Sequence, residues 1–407
     1  MRMTFRYSLS AFLPGATLVF CLFPYTQIIP LDTYNQPYAL ALSFLILILN
    51  PKAIFSLPQI DQIMLSYLAF LGVMLLLLEL PFGIETREMA FTISYITPVV
   101  TTAAVFCILL RNPTMVRKIL IAAAVIWFGV NIIQSFIAPT FLTQLVTRDL
   151  ELADNVVASG RGILGLSPEP THNAFHNLLL GASLLMVGGP LWAVALSISS
   201  AILLAKSSSA VLAIGLGLLL WAVRHPLRRW WALLPFVIPQ LVIYILTFFV
   251  NEQSRLGSII LSLKDLDPSI VLLDNSVNMR IGGATMPILY SIQDFLLPQG
   301  ISIQSWLALR HDILADQSWL MDLSLNGPAS GFGLFIVQGG VFSLPVIIYF
   351  INRLFLNNLP SLASLGSVVV LAVFLGQFYF ATPIFGLFYA TLIWRSRSKP
   401  CKSAVRT

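Results

Sequence analysis

Apolar stretches of membrane length recur along almost the whole of this 407-residue chain, and they limit its fold more than any other feature. The hydrocarbon core of a bilayer is about 30 Å thick, so a helix needs about 20 residues to cross it. Lipid offers the backbone no hydrogen-bond partners, which favours helices over open strands. With 57% hydrophobic and only 10% charged residues, the chain lacks the surface of a water-soluble protein. The sequence therefore predicts an all-α, polytopic integral membrane protein.

The apolar runs predict about 12 transmembrane helices within a single transmembrane domain, residues 1–407. They cover residues 9–30, 38–50, 62–81, 91–110, 118–138, 173–188, 191–205, 209–223, 231–250, 331–351, 360–375 and 378–394. One of the three short runs between residues 173 and 223 could instead be re-entrant, because only brief polar separators divide them.

Basic residues assign the sides of the membrane, since Lys and Arg are enriched in cytoplasmic segments. With both termini in the cytoplasm, 15 of the 23 basic residues fall on the inner side. These are Arg2, Arg6, Lys52, Arg111, Arg117, Lys118, Arg224, Arg228, Arg229, Arg353, Arg395, Arg397, Lys399, Lys402 and Arg406. The sorting supports both the number of crossings and the cytoplasmic position of the termini.

Two long loops then face outward, at residues 139–172 and 251–330. They carry most of the acidic residues: Asp149, Glu151, Asp154 and Glu169 in the first, and Glu252, Asp265, Asp267, Asp274, Asp294, Asp312, Asp316 and Asp322 in the second. The second loop also has amphipathic pieces near 255–264 and 284–297, which we expect to lie along the membrane surface.

The segment from Arg161 to His172 (RGILGLSPEPTH) is the main candidate for chemistry, because it puts charged groups at the mouth of the bilayer. A helix is predicted to start near Thr171 or Asn173, either of which can cap it. A helix start attracts anions, and the Arg161 guanidinium suits a phosphate. Glu169 is a candidate base and His172 a second one. Alternatively, Glu169 is only a helix-start carboxylate and His172 an interface residue.

His172 and His176 are four residues apart and share a helix face, which is metal-ligand spacing. No third ligand lies nearby in the sequence, so we expect no metal. Asn173 and Asn177 occupy an adjacent face, and we expect them to line a polar cavity.

Lys206 precedes Ser207-Ser-Ser at the outer end of two apolar runs. Its ammonium group could reach the same anion as Arg161. The segment is equally well explained as a tight turn, because small hydroxyl residues allow helices to approach closely.

The second outer loop offers three further candidates. Arg280 is close to Gly282 and Gly283, which would let a ligand approach the backbone. Arg310 and His311 are lesser candidates for binding an anion and accepting a proton. A loop arginine is more often a solvated charge, which is the alternative interpretation.

The order of these features resembles the O-antigen polymerase and O-antigen ligase family of bacterial polysaccharide membrane proteins. The features are the segment 161–172, the serine-led apolar run 207–215, Arg280 with the later Pro298-Gln-Gly300, and the glycine-rich span 331–340. The chain departs from the family's pattern in having Lys206 before the serines and no clear histidine–asparagine pair of the ligase type. These departures favour polymerase over ligase.

The resemblance implies a glycosyltransferase of the bacterial inner membrane. It would transfer a glycan from undecaprenyl diphosphate to the terminal sugar of another lipid-linked repeat unit on the periplasmic face, without a metal or cofactor. A base and cations suit that reaction. Glu169, His172 and His311 are the candidate catalytic residues, and Arg161, Arg280, Arg310 and Lys206 the candidate diphosphate ligands.

The resemblance further implies the bilayer, the lipid-linked oligosaccharide, a chain-length regulator and a flippase of the same pathway as partners, and no nucleic acid. The product would be O-antigen, capsule or exopolysaccharide. Alternative functions are ligase-type transfer to another acceptor, a flippase or transporter of the lipid-linked oligosaccharide, and a scaffold. A transporter is expected to carry charges within its spans, whereas here the span interiors are nearly free of charge.

Overall fold

The computed structural model of the protein describes residues 2–29, 35–83, 86–146, 162–224, 275–325, 327–356, 361–375 and 380–398. All regular secondary structure in these residues is helical. In chain order the α-helices are α1 (Arg2–Leu22), α2 (Tyr38–Leu49), α3 (Gln59–Glu79), α4 (Thr86–Arg111), α5 (Pro113–Phe136), α6 (Pro170–Met186), α7 (Leu191–Ser199), α8 (Ser208–Arg224), α9 (Asn275–Gln293), α10 (Ile303–Asp316), α11 (Gly331–Gly339), α12 (Leu344–Ile351), α13 (Leu362–Leu375) and α14 (Pro383–Ser398).

Short helical turns extend or join several of these helices. Tight 3₁₀ turns form at Pro51–Ser56, Leu80–Phe82, Thr143–Leu145 and Gly340–Ser343, and wider π-type turns follow α7 and α12 at Ser200–Leu204 and Asn352–Leu356. In these turns the backbone hydrogen bonds span three or five residues instead of the four of an α-helix.

All the described helices except α9 and α10 coincide with predicted apolar runs. Each predicted span except 231–250, which lies outside the described residues, overlaps a helix. Among the described residues, four helices are long and apolar enough to cross a membrane: Gln59–Glu79, Phe91–Arg111, Pro113–Phe136 and Gly331–Phe355. The all-helical fold therefore fits a helical membrane protein. The total of 12 crossings and the cytoplasmic termini stay predictions.

Two predicted spans differ from the structure in a way that has a physical cause. The first, 9–30, is helical only as far as Leu22, whose carbonyl accepts a hydrogen bond from the Trp127 indole nitrogen at 3.1 Å. The run 331–351 is interrupted at Gly340, where φ is +51° and the backbone of residues 296–298 packs so closely that a Cβ would collide with it. Neither contact is visible in the apolar pattern, because both involve residues distant in sequence.

The described part of the predicted second outer loop is largely helical. It contains α9 and α10, and α9 covers most of the predicted amphipathic piece 284–297. The other piece, 255–264, lies outside the described residues.

The chain divides into two compact units. Unit 1 comprises Met1–Ala69, Ile93–Ser207 and Phe380–Thr407, and unit 2 comprises Phe70–Thr92 and Ser208–Tyr379. In unit 1, α6 is the central helix: it packs against α5, α7 and α14, and nearly all of its residues are buried. In unit 2, α8 packs on α13, and α9 packs on α10 and α11. The segment 162–172 belongs to unit 1.

Candidate functional site

A buried glutamine holds the turn that leads into α6. Gln134, near the end of α5, accepts a hydrogen bond from the Gly165 amide at 2.7 Å and donates to the Gly165 carbonyl at 2.9 Å. Its amide nitrogen also donates to the Phe141 carbonyl at 2.7 Å. Gly165 is buried and has a φ of +63°, so its two backbone groups depend on this side chain for partners. One side chain thereby fixes the course of the segment before α6.

Three buried asparagines complete this polar network. Asn131 on α5 and Asn173 on α6 exchange hydrogen bonds at 3.1 and 3.3 Å, and Asn173 also donates to the Ile163 carbonyl at 3.2 Å. Asn177, one turn along α6, donates to the Asn173 side-chain oxygen at 2.8 Å. Buried polar networks of this kind favour one arrangement of the helices around them.

This arrangement corrects the predicted roles of two residues in α6. The helix begins at Pro170 with Glu169 as its N-cap, and no side chain caps it. The predicted caps, Thr171 and Asn173, already lie inside the helix. Asn173 is instead hydrogen-bonded to Asn131 and to the preceding turn, and the polar cavity stays a prediction. Pro170 explains the earlier start, because its fixed φ suits the first helical position.

Glu169 and His172 lie together at the start of α6. A carboxylate oxygen of Glu169 is 3.9 Å from Nδ1 of His172, and the two side chains are 51% and 20% exposed respectively. The Ser167 hydroxyl donates a hydrogen bond to the backbone carbonyl of Glu169 at 2.7 Å. Burial lowers the pKa of His172, and the Glu169 carboxylate partly opposes that shift. The pair thus combines an exposed carboxylate with an imidazole that stays neutral and can accept a proton.

The structure also brings the beginning of the segment against Lys206. Gly162 has a φ of +111°, and a Cβ there would collide with the backbone of Ala205 and come 3.4 Å from Cβ of Lys206. Lys206 itself has a left-handed φ of +48° and is exposed. Arg161 lies outside the described residues, but it is the chain neighbour of Gly162. The two segments predicted to share an anion, 161–172 and 206–209, therefore meet at Gly162.

His172 and His176 share a face of α6, as their spacing predicts. The Tyr25 ring lies edge-on to both imidazoles, with centroids 6.0 Å from each. Trp127 stacks on His176 with centroids 4.4 Å apart. Among the described residues, no three His, Cys, Asp or Glu side chains are grouped closely enough to hold a metal ion. Aromatic packing is what the structure shows around these histidines.

In unit 2, Arg310 is engaged within its own loop. Its guanidinium forms an ion pair with Asp322, and its Nε donates to the Leu323 carbonyl at 2.9 Å. The neighbouring His311 is 82% exposed, with Nδ1 3.6 Å from the Asp312 carboxylate. Arg310 thus has a structural task that the sequence did not reveal, and His311 faces outward from α10.

The glycines beside Arg280 serve helix packing. Arg280 is half-buried on α9. A Cβ on Gly282 would collide with the Leu320 side chain, and one on Gly283 would come 3.1 Å from the Ala329 side chain. The Gly283 carbonyl accepts from the Ala329 amide at 3.1 Å. The expectation that these glycines open the backbone to a ligand is wrong, because neighbouring protein fills the space.

The sequence candidates thus fall into two groups. Glu169, His172 and Lys206 belong to unit 1, where the residue after Arg161 is also found, whereas Arg280, Arg310 and His311 belong to unit 2. Sequence inspection missed Gln134 and Asn131. The sequence did contain a signal for them, because two amide side chains lie three residues apart in an apolar helix. Burying an amide without a hydrogen-bond partner costs free energy, so such a pair indicates polar partners nearby.

No protein-family model, curated protein or solved structure matches this chain. The candidate site therefore rests on the geometry and chemistry of its own residues.

Proposed function

We propose that the protein is a polysaccharide polymerase of the bacterial inner membrane. It transfers a glycan from undecaprenyl diphosphate to the terminal sugar of another lipid-linked repeat unit on the periplasmic face, as a glycosyltransferase whose cationic side chains serve where other enzymes use a metal. The observation that carries this proposal is the contact of Gly162 with Ala205 and Lys206, because it joins the two cationic motifs of unit 1.

The leaving group of this reaction is a lipid diphosphate, and its negative charge needs cations. Lys206 is exposed beside Gly162, and Arg161 is the residue directly before Gly162 in the chain. A guanidinium binds phosphate oxygens through parallel hydrogen bonds, whereas an ammonium acts as a compact point charge. Arg161 and Lys206 are therefore suited to hold the two phosphates as the glycosidic bond breaks.

The Glu169–His172 pair supplies the base. The acceptor hydroxyl gives its proton to this pair while its oxygen forms a bond to the anomeric carbon of the donor. The bond between that carbon and the diphosphate oxygen breaks, and its electron pair leaves with the diphosphate. A single displacement of this kind inverts the anomeric configuration. The separation of 3.9 Å lets the carboxylate stabilise the imidazolium if His172 takes the proton first.

Residues of the second outer loop have separate parts in the proposal. Arg280 as a diphosphate ligand and His311 as a base stay predictions from the sequence, since both residues belong to unit 2. Arg310 is assigned to loop stability because of its ion pair with Asp322. A chain-length regulator and a flippase of the same pathway are the proposed partners. Ligase-type transfer and lipid-linked oligosaccharide transport are the competing functions.

The proposal is tested by analysing polymer length on gels from a strain that lacks the protein and carries rescue variants. We expect Arg161→Ala, Lys206→Ala and Glu169→Gln each to give short or no polymer at normal protein level, with single repeat units accumulating on lipid. Lys52→Ala is the matched control: it also removes an exposed lysine, but one that the topology assigns to the inner face. It is expected to restore full-length polymer.

Each competing function gives a different result. Accumulation of lipid-linked units on the cytoplasmic face would indicate a flippase. Normal polymer that is not attached to its final acceptor would indicate a ligase. Full-length polymer from all three site variants would show that these residues do not form the site.

A further inference from the structure

The turn that follows α9 exposes apolar side chains on a strained backbone. Phe295 and Leu296 are consecutive residues with φ of +53° and +56°, a left-handed conformation that residues with a Cβ rarely adopt. Phe295 is 89% exposed and Leu297 56% exposed. Strain of this kind persists only where the surrounding structure enforces it.

Backbone hydrogen bonds enforce it by tying the turn to the end of α11. The Leu296 carbonyl accepts from the Val341 amide at 2.8 Å, and the amides of Gln299 and Gly300 donate to the carbonyls of Val337 and Gln338 at 2.9 and 3.1 Å. These last two carbonyls lie where α11 ends, so the segment satisfies acceptors that the broken helix leaves open. These hydrogen bonds therefore hold the turn beside Val341.

Val341 is also where the exposed apolar surface of this helical run begins. Every residue of α11 is buried, whereas Val341 and Phe342 are 48% and 56% exposed. Both belong to Gly331–Phe355, one of the helices long and apolar enough to cross a membrane. In a helix that crosses a membrane the exposed face contacts lipid, and Phe295 and Leu297 are joined to this face through the Leu296–Val341 hydrogen bond.

The apolar surface continues onto α9 and carries polar groups beside it. Leu289 and Ile292 are 47% and 55% exposed. Asp294, next to Phe295, accepts a hydrogen bond from the Gln299 side chain at 3.1 Å. Apolar side chains with neighbouring polar groups are typical of segments that lie at the bilayer interface.

We propose that the turn formed by Asp294, Phe295, Leu296 and Leu297 inserts its apolar side chains into the outer leaflet of the bilayer. The turn contacts phospholipid and not another protein, because it is continuous with a lipid-facing helix surface. The insertion seats α9 and α10 against the membrane. It does not depend on the proposed glycosyl transfer.

The test places a fluorescent probe at single cysteines in the purified, full-length protein. Phe295→Cys and Leu297→Cys are made in a Cys401→Ser background, in which the remaining Cys21 and Cys107 are buried. The environment-sensitive probe NBD is attached, and the protein is reconstituted alone into vesicles of ordinary or brominated phosphatidylcholine. His311→Cys, at an 82% exposed position on α10, is the matched control in the same loop.

We expect brominated lipid to quench the probes at 295 and 297 several-fold more than the probe at 311. Equal, weak quenching at all three positions would overturn the proposal. A water-like emission from 295 in these vesicles would also overturn it, and would mean that the turn awaits a protein partner. If Phe295→Cys fails to fold, Leu297→Cys decides the question alone.

Discussion

Replacing Gln134 with alanine is expected to release the turn before α6. The substitution removes the partners of both backbone groups of buried Gly165, and of the Phe141 carbonyl. An unsatisfied buried polar group costs about 1–3 kcal/mol. Phe141 is near enough to the surface for water to replace its bond, so the two Gly165 groups dominate. The expected loss of local stability is about 3 kcal/mol, since water will reach part of the opened turn.

Hydrogen exchange measured by mass spectrometry reports this loss directly. The Gly165 amide donates to Gln134, so it exchanges only when the turn opens. A loss of about 3 kcal/mol corresponds to roughly 100-fold faster exchange, at about 1.4 kcal/mol for each factor of ten. Peptides that cover residues 162–169 should show this acceleration in Gln134→Ala.

Val125→Ala provides the control, because Val125 is 46% exposed on the same helix. It should leave exchange of the turn unchanged. Unchanged exchange in Gln134→Ala as well would refute the role of the glutamine clamp. Accelerated exchange throughout unit 1 would refute the view that the effect is local.

Three further outcomes follow from the site. Gly162→Ala should lower thermal stability in detergent by more than Gly188→Ala. An alanine at the left-handed φ of Gly188 costs about 1–2 kcal/mol, whereas an alanine at Gly162 would also collide with packed backbone. The acid limb of the pH–activity profile should lie below the ordinary histidine pKa, because burial lowers the pKa of His172. Glu169→Gln should move this limb to still lower pH, since the Glu169 carboxylate, which raises the pKa of His172, is then absent. Arg310→Ala should cost about 1 kcal/mol of stability, because the ion pair of Arg310 with Asp322 is partly exposed. Activity should be unchanged when equal amounts of folded protein are compared.

The helix positions could be predicted because lipid leaves the backbone little choice. The ends of the helices were harder to predict, since they depend on contacts with residues distant in sequence, such as the hydrogen bond from the Trp127 indole to the Leu22 carbonyl. The break at Gly340 has the same origin, because a loop segment packs against it. Apolar periodicity records which residues avoid water, but not which backbone will approach a given glycine.

The site was predicted in part. Glu169 and His172 were expected at a helix start and are found there, 3.9 Å apart. The helix begins one residue before Thr171 because proline, not a side-chain cap, opens it. Asn173 was misassigned, because its partner Asn131 comes from another helix. Amide pairs across helices leave no local pattern, so only the folded chain reveals them.

The most direct measurement is transfer by the purified protein in vesicles that contain undecaprenyl-diphosphate-linked repeat units. We predict joined repeat units on one carrier, with release of undecaprenyl diphosphate, and loss of both products in Lys206→Ala but not in Lys52→Ala. If only single repeat units persist with folded wild-type protein, or if Lys206→Ala joins them as well as wild type, the proposed site is contradicted.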